Sequence, residues 1–295
     1  MEKSVRIAGI KVSFEMPQEL PVWAMLSQYD PFIVPEDGEA PAFRVEYCPE
    51  IQDMDLKTVY NDTPEDPGQT RVEIYSFDGG WEVRFAPYAK APVCGRLQCG
   101  PDFETGRFCF TEGTSLGDQL FVFNNAMMLM YAFRTSTMKT LEMHSSVVMS
   151  QGRGYMFLGK SGTGKSTHSR MWLENIEGTE LLNDDNPVVR ILEDGSARVY
   201  GTPWSGKTPC YRNLDVPIGG IIRIKRAPYN KATRLDIFSS YASVVSSCSG
   251  FKPMKKMADG LHETISALVG AVPCYDMECL PNGDAARVCA ETVRR

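Results

Sequence analysis

The chain has 295 residues, enough for one large domain or two ordinary ones. Its composition, 43% hydrophobic and 23% charged, is that of a soluble globular protein, and its net charge of −6 gives no overall attraction to nucleic acid or to an anionic membrane. The cysteines are scattered without a C-x-x-C pair, and we expect neither a secretory signal nor a membrane span, so the sequence favours a cytoplasmic protein with reduced thiols.

The first part of the chain, residues 1–117, is predicted to be a β-rich N-terminal domain smaller than the rest. Its clearest hairpin runs over Arg71–Ala86, where two alternating stretches flank the turn Asp78-Gly79-Gly80. A helix with an apolar, methionine-rich face is predicted over Asp118–Thr135. It lies in a segment, 118–139, that we expect to bridge the two halves.

The second part, residues 140–295, is predicted to be an α/β domain with a mixed sheet. Short apolar runs separated by turns are typical of a sheet covered by helices. The predicted strands are 145–149, 155–158, 180–182, 187–191, 197–201, 219–224 and 274–280. The predicted helices are 236–246, 254–269 and a final one from Asp284.

A glycine-rich loop follows the strand at 155–158 and precedes a predicted helix. It reads Gly159-Lys160-Ser161-Gly162-Thr163-Gly164-Lys165-Ser166-Thr167 and fits G-x-x-x-x-G-K-[ST] at every fixed position. Glycines allow successive N–H groups to face one anion, and the helix N-terminus adds partial positive charge. Lys165 is expected to reach the β- and γ-phosphates and Ser166 to ligate Mg²⁺. The loop therefore predicts binding of ATP or another nucleoside triphosphate with Mg²⁺.

Two adjacent acids, Asp184 and Asp185, end the predicted strand at 180–182. The spacing from Lys165 suits one helix, one turn and one short strand, which would carry both acids to the edge where α/β sheets bind ligands. One acid can hold Mg²⁺, directly or through water, and the other can accept a proton from a substrate hydroxyl. The alternative is a solvated turn.

A histidine, His144, precedes the strand at 145–149. A hairpin from that strand to 155–158 would bring the start of one strand to the end of the next, and would place His144 close to the bound phosphates. The alternative is a histidine of the core or the surface.

A later stretch, Trp204 to Arg212, is punctuated by glycine and proline and carries Lys207 and Arg212. Cations on a mobile loop can stabilise the charge that moves during phosphoryl transfer. The turn around Lys207 is similar to a small anion-binding turn, and Trp204 can stack on a base or cover the site. The alternative is an ordinary connection with a packed tryptophan and exposed cations.

Together, His144, the loop and the pair Asp184-Asp185 resemble the catalytic domain of HPr kinase/phosphorylase and, more distantly, the nucleotide core of phosphoenolpyruvate carboxykinase. The resemblance covers about residues 140–225. It implies that Asp185 accepts the proton of a serine-type hydroxyl, that Asp184 lies beside it on metal or substrate, and that His144 orients the phosphoryl group or its acceptor. By the same resemblance, Arg212 corresponds to the arginine of the Glu-Ile-Arg-Gly signature of HPr kinases. The glutamate of that signature has no counterpart here, so HPr is not implied as the acceptor.

Three functions follow from these residues. The first is an ATP- and Mg²⁺-dependent kinase acting on a serine-type hydroxyl of a protein, a peptide or a small molecule. The second is a nucleotide-binding regulatory module without efficient phosphotransfer. The third, a decarboxylating kinase, is disfavoured because the chain is short and shows no second metal-ligand set with a His and a Lys. We expect no nucleic-acid or membrane partner, and the resemblance to hexameric HPr kinases implies a homo-oligomer.

Overall fold

The structure, a computed structural model, describes residues 1–61, 63–206 and 208–294. Contacts between residues divide the chain into two compact units, Met1–Arg134 and Thr135–Arg295. Both units are mixed α/β, and each is built on a mixed sheet. The predicted domain limits at 117 and 139 stay a prediction. Among the described residues, none of the helices combines the length and the apolar character needed to cross a bilayer.

The first unit has one eight-stranded mixed sheet in its described part. The strands are β1 Glu2–Ile7, β2 Ile10–Glu15, β3 Arg44–Tyr47, β4 Lys57–Tyr60, β5 Arg71–Phe77, β6 Gly80–Ala86, β7 Gly95–Cys99 and β8 Thr105–Phe110. Their order is β1-β2-β3-β8-β7-β6-β5-β4, with β3 parallel to both neighbours. A 3-10 helical stretch over Pro21–Phe32, which the sequence did not predict, connects β2 to β3.

The predicted hairpin over Arg71–Ala86 is confirmed as β5 and β6. Phe77 and Gly80 pair across a turn of two residues, in which Gly79 has a φ of 90°. Gly80 already belongs to β6, and a Cβ there would lie 2.1 Å from the carbonyl oxygen of Cys99. Glycine is therefore needed at position 80 because β6 and β7 pair closely there, and not because of the turn.

The helix of the first unit, α1, spans Leu116–Thr135 and packs on this sheet. The Phe123 ring lies 5.0 Å from the Phe14 ring in an edge-on arrangement. The helix begins before the predicted Asp118 because the Ser115 hydroxyl accepts a hydrogen bond from the Asp118 N–H, at 3.2 Å. This is the capping interaction expected of a serine that precedes a helix.

The second unit has a nine-stranded mixed sheet in its described part. The strands are β9 Thr140–Glu142, β10 Ser145–Ser150, β11 Arg153–Leu158, β12 Thr179–Asn183, β13 Val188–Ile191, β14 Ala197–Tyr200, β15 Asp215–Arg226, β16 Lys231–Arg234 and β17 Cys274–Cys279. The helices are α2 Lys165–Asn175, α3 Ile237–Val245, α4 Lys255–Ala271 and α5 Gly283–Val293. The main order is β12-β10-β11-β15-β14-β13-β9, with β17 on β15 and β16 on β17.

Helices cover both faces of this second sheet. Trp172 of α2 and Cys289 of α5 lie in the core of one face. Ile265 and Leu268 of α4, with Val244 of α3, lie in the core of the other. The result is a three-layer arrangement in which apolar strands are buried on both sides, as the dense apolar runs indicated.

Two features bring polar residues to one edge of the sheet. A two-residue turn, Gln151-Gly152, with φ of 51° and 73°, folds β10 back on β11 so that Ser145 pairs with Leu158. On its other side β10 runs antiparallel to β12, with Val147 opposite Asn183. The start of β10 and the ends of β11 and β12 therefore meet.

Candidate functional site

The glycine-rich loop connects β11 to α2 at this edge. Gly159 has a φ of 154°, and a Cβ there would lie 2.6 Å from the hydroxyl oxygen of Thr163. Gly164, with a φ of 113°, directly precedes the first residue of α2. Both positions require glycine, because an L side chain rarely adopts such backbone angles. The tight turn leads straight into the N-terminus of α2, where free N–H groups face outward.

The loop lysine is buried and makes two polar contacts. Lys165 is 7% exposed, and its Nζ lies 3.0 Å from the carbonyl oxygen of Gly159 and 2.7 Å from Nε2 of His144. Burial lowers the pKa of Lys165, while the charges of Asp185 and Asp184 oppose that shift. The ammonium group therefore lies between the loop and the histidine that the sequence singled out.

The histidine continues this line of contacts to the acidic pair. Nδ1 of His144 lies 3.2 Å from Oδ1 of Asp185. Burial and the Lys165 charge lower the pKa of His144, against the opposing effect of Asp185. The imidazole is therefore neutral near pH 7. Since Nε2 accepts from the ammonium group, Nδ1 carries the proton and donates it to Asp185.

The second aspartate of the pair, Asp185, has a partner on each carboxylate oxygen, His144 on Oδ1 and Asn186 on Oδ2, and its backbone is held as well. The Asn186 side chain donates to Oδ2 at 2.9 Å, and the Asp185 N–H donates to Oδ1 of Asn183 at 2.9 Å. Burial raises the pKa of Asp185, although His144 and Lys165 both act to lower it. A carboxylate with a raised pKa is a better proton acceptor than an ordinary aspartate.

The first aspartate, Asp184, is almost fully buried, with 4% of its surface exposed. Its Oδ1 accepts from the Ser146 hydroxyl at 2.8 Å, and that hydroxyl lies 2.6 Å from the hydroxyl of Ser169 on α2. Its Oδ2 is buried and has no hydrogen-bond partner among the described residues. Ser166 lies three residues before Ser169, on the same face of the helix. The orphaned carboxylate oxygen of Asp184 and the Ser166 hydroxyl, one helical turn before Ser169, are of the hard oxygen type that Mg²⁺ prefers.

Glu142 is a further buried acid close enough to Asp185 to feel its charge, and the sequence analysis did not predict it. Glu142 is 3% exposed, and burial raises its pKa to about 7, with Asp185 adding to the shift and a hydrogen bond with Ser249 opposing it. Its Oε1 has no hydrogen-bond partner within the described part of the chain. A glutamate two positions before His144, at the end of a short apolar strand, is the only signal the sequence offers for it.

The Trp204–Arg212 segment contributes less than the sequence predicted. Arg212 pairs with Glu180 at 2.6 Å. Glu180 precedes Asp184 by about 13 Å of strand, so the structure does not bring Arg212 to the acidic pair. Trp204 is 3% exposed and packs in the interior, where its carbonyl accepts from Asn183. Lys207 lies outside the described residues.

The preceding part of that segment does reach the site. A Cβ on Gly206 would lie 3.2 Å from the carbonyl oxygen of Asp184 and 3.3 Å from Cβ of Asp185. The backbone at Gly206 therefore passes directly against the two aspartates. This close approach explains a glycine at that position without invoking an anion-binding turn.

A cavity of about 600 Å³ opens beside the glycine-rich loop. We call it the loop pocket; its lining includes Thr163, Thr167, His168, Arg226, Leu280 and Pro281. Arg226, at the end of β15, donates a hydrogen bond to the carbonyl oxygen of Gly162. Burial lowers the pKa of His168 to about 4, so its Nε2 is free of a proton and accepts from Trp172 at 3.2 Å. Arg226 could not be predicted from the sequence, because its approach to the loop depends on the path of β15.

Comparison with known proteins gives little further information. No protein-family model matches the chain. No curated protein matches it. A solved structure described as the Hpr(Ser) kinase/phosphatase from Coxiella burnetii matches over 52% of this chain and 93% of its own, with 11% sequence identity and a TM-score of 0.29. This is a distant structural resemblance, and at this score it carries no argument about activity.

Proposed function

We propose that the second unit is an ATP- and Mg²⁺-dependent kinase that transfers a phosphoryl group to a serine-type hydroxyl of a protein, a peptide or a small molecule. The observation that carries the proposal is the pair of contacts from Lys165 to His144 and from His144 to Asp185, next to the glycine-rich loop. A lysine for phosphate, a held carboxylate for the proton and a second carboxylate for a cation form the set that phosphoryl transfer requires.

Nucleotide binding is supported by the loop and by the cavity next to it. The backbone N–H groups of 159–166 and the N-terminus of α2 would bind the phosphates, with Lys165 turning from His144 toward the β- and γ-phosphates. The loop pocket has the volume of a small-molecule site and lies where the nucleoside would follow. Arg226 would contact the phosphates or the ribose from the side of β15.

Magnesium would be held by Asp184 and by the hydroxyl of Ser166, which leaves Asp185 for the proton. The orphaned Oδ2 of Asp184 is the specific reason to place a cation there. When bound, Mg²⁺ neutralises charge on the β- and γ-phosphate oxygens.

The transfer step then follows from the positions of the protein groups. Asp185 accepts the proton of the acceptor hydroxyl, and the hydroxyl oxygen forms a bond to the γ-phosphorus. The bond from that phosphorus to the bridging oxygen breaks, and its electron pair leaves with ADP. His144 holds Oδ1 of Asp185 through Nδ1–H and keeps the carboxylate aimed at the acceptor. Lys165 stabilises the charge that develops on the phosphoryl oxygens.

The test is phosphoryl transfer from [γ-³²P]ATP, with Mg²⁺, to free serine, to serine peptides and to protein acceptors. We expect transfer by the wild type and a loss of at least about 100-fold in Asp185→Asn, which keeps the shape but cannot accept the proton. Asp259→Asn, the same substitution on the exposed face of α4, is the matched control and should transfer normally.

Two outcomes would contradict the proposal. Equal transfer by wild type and Asp185→Asn would remove Asp185 from the role of base. Tight ATP binding by the wild type, abolished by Lys165→Ala but without transfer to any acceptor, would favour the nucleotide-binding regulatory module instead.

A further inference from the structure

A second pocket lies at the opposite end of the strands that lead to the loop pocket. It has a volume of about 360 Å³. We call it the arginine pocket; its lining includes Arg153, Arg234, Arg294, Tyr155, Tyr275 and Gly219. The strands β11, β15 and β17 run parallel to one another, start at this pocket and end at the loop pocket.

The charge in this pocket is uncompensated. No aspartate or glutamate lines it, and within the described part of the chain none of its three arginines forms an ion pair. Arg153 and Arg234 are exposed. Three guanidinium groups without a counter-charge repel one another, and a bound anion would relieve that repulsion.

The third arginine is already held in place. Arg294 donates to the hydroxyl of Ser150, and its guanidinium lies 5.4 Å from the ring of Trp172. Its Nε is buried and has no hydrogen-bond partner among the described residues. A guanidinium that is already packed on one face loses little freedom when it binds a ligand.

The backbone is shaped to leave the pocket open. A Cβ at Gly219 would lie 2.8 Å from the Tyr155 ring and 3.1 Å from Cβ of Arg153. Only glycine therefore allows the ring and the arginine to lie over β15. Arg234 pairs in register with Tyr275, so the two residues lie side by side on neighbouring strands at the pocket. Two aromatic walls and cations on several sides describe a built cavity rather than a chance surface patch.

We propose that the arginine pocket binds a small phosphate-bearing anion. Guanidinium groups match phosphate oxygens with paired hydrogen bonds, which makes phosphate the preferred ligand chemistry for such a cluster. The ligand is not a reactant of the kinase step, because the six residues of β11 separate the two pockets by about 20 Å. The site is thus separate from that of the proposed function, and it stands whether or not the chain is a kinase.

The experiment is titration calorimetry with inorganic pyrophosphate, without ATP or metal. The wild type should bind pyrophosphate at two sites, the glycine-rich loop and the arginine pocket. Lys165→Ala should keep only the second. Arg153→Gln and Arg234→Gln, both at exposed positions that leave the fold intact, should each weaken that second site about tenfold. Arg170→Gln, an exposed arginine of α2, is the matched control and should change neither site.

Every outcome decides the proposal. If the double variant Arg153→Gln/Arg234→Gln binds pyrophosphate at the same number of sites and with the same affinities as the wild type, the proposal is overturned, whether the wild type shows one site or two. Tighter binding of citrate than of pyrophosphate at the second site overturns the assignment to phosphate. Loss of the second site in the double variant, with the loop site unchanged, supports it, and the affinity should fall as salt rises.

Discussion

Asp185, which is half-buried, and Glu142, which is buried, are two carboxyl groups with different neighbours, and the difference separates their roles. Asp185 faces His144 and Lys165, which favour its charged form, and it reaches the mouth of the loop. Glu142 lies deeper, has no cation among the causes of its shift, and takes a pKa of about 7 from burial. Asp185 is suited to accept a proton, whereas Glu142 is protonated through most of the acidic range.

The contact between His144 and Asp185 predicts a pH effect on transfer. Replacing His144 with leucine removes a donor to Oδ1 and puts an apolar group in its place, so the pKa of Asp185 should rise further. The acidic limb of kcat/KM against pH should move to higher pH, and transfer at pH 7 should fall about 10- to 100-fold. A pH–rate profile of wild type and His144→Leu measures this. An unshifted profile with a lower maximum would mean that His144 acts only on substrate binding.

The buried Glu142 predicts a pH effect on stability. Its folded pKa lies above the ordinary value of 4.5. The folded state therefore holds a proton that the unfolded state has lost, and stability is lost as pH rises from about 4.5 through about 7. In metal-free protein, Glu142→Gln should gain stability relative to wild type over that range, by an amount on the order of 3 kcal/mol above pH 7. Urea unfolding at pH 5 and pH 8 measures it.

A matched control for this experiment is Glu263→Gln, at an exposed position of α4. Its stability difference from wild type should be the same at both pH values. If Glu142→Gln behaves like the control, the carboxyl group is solvated in the native state and its pKa is ordinary.

At this scale the sequence predicted some site positions and missed others for physical reasons. The proximity of His144 to Lys165 follows from one short hairpin, which local signals can specify. The pairing of Arg212 with Glu180 depends on how a long connection crosses the sheet, and no local pattern encodes that path. The roles of Ser146 and Glu142 are equally hidden, because a buried polar residue has the same letter as an exposed one.

Among the elements, α4 shows how two glycines on one helix differ. A Cβ on Gly260 would lie 2.7 Å from the carbonyl oxygen of Ser136, whereas one on Gly270 would meet no atom within 4 Å. Gly260 thus permits a close helix-to-backbone approach, and Gly270 occupies open space near the end of the helix.

This difference predicts opposite effects of the same substitution. Gly260→Ala should destabilise the second unit by about 1–3 kcal/mol, because the carbonyl or the helix must move. Gly270→Ala should be neutral or stabilise it by up to about 1 kcal/mol through helix propensity. Denaturant titration of both variants compares them directly. Equal changes in stability for the two variants would show that the close contact between Gly260 and Ser136 adds no cost to the substitution.

The elements predicted from periodicity are the long or strongly patterned ones. The helices at 236–246 and 254–269 are confirmed as α3 and α4, and Asp236 caps α3 by accepting from the N–H groups of Phe238 and Ser239. Short strands such as β4 and β16 carry too few residues for a pattern. β15 is longer than the predicted 219–224, because its residues 215–217 pair with β14 before the strand pairs with β11. Pro217 hides this extension in the sequence, since proline is rare inside a strand.

For the molecule as a whole, the two compact units predict a local response to nucleotide. A non-hydrolysable ATP analogue with Mg²⁺ should protect amides of 135–294 from hydrogen exchange and leave 1–134 unchanged. Stability of the second unit should rise by about 2.7 kcal/mol at a ligand concentration 100 times Kd. Lys165→Ala should abolish the effect. Protection spread evenly over both units would contradict a nucleotide site confined to the second.

Strand β15 contributes residues to the loop pocket at one end and to the arginine pocket at the other. A substitution that shifts β15 in order to reshape one pocket is therefore expected to change the shape of the other, because the two pockets share this strand.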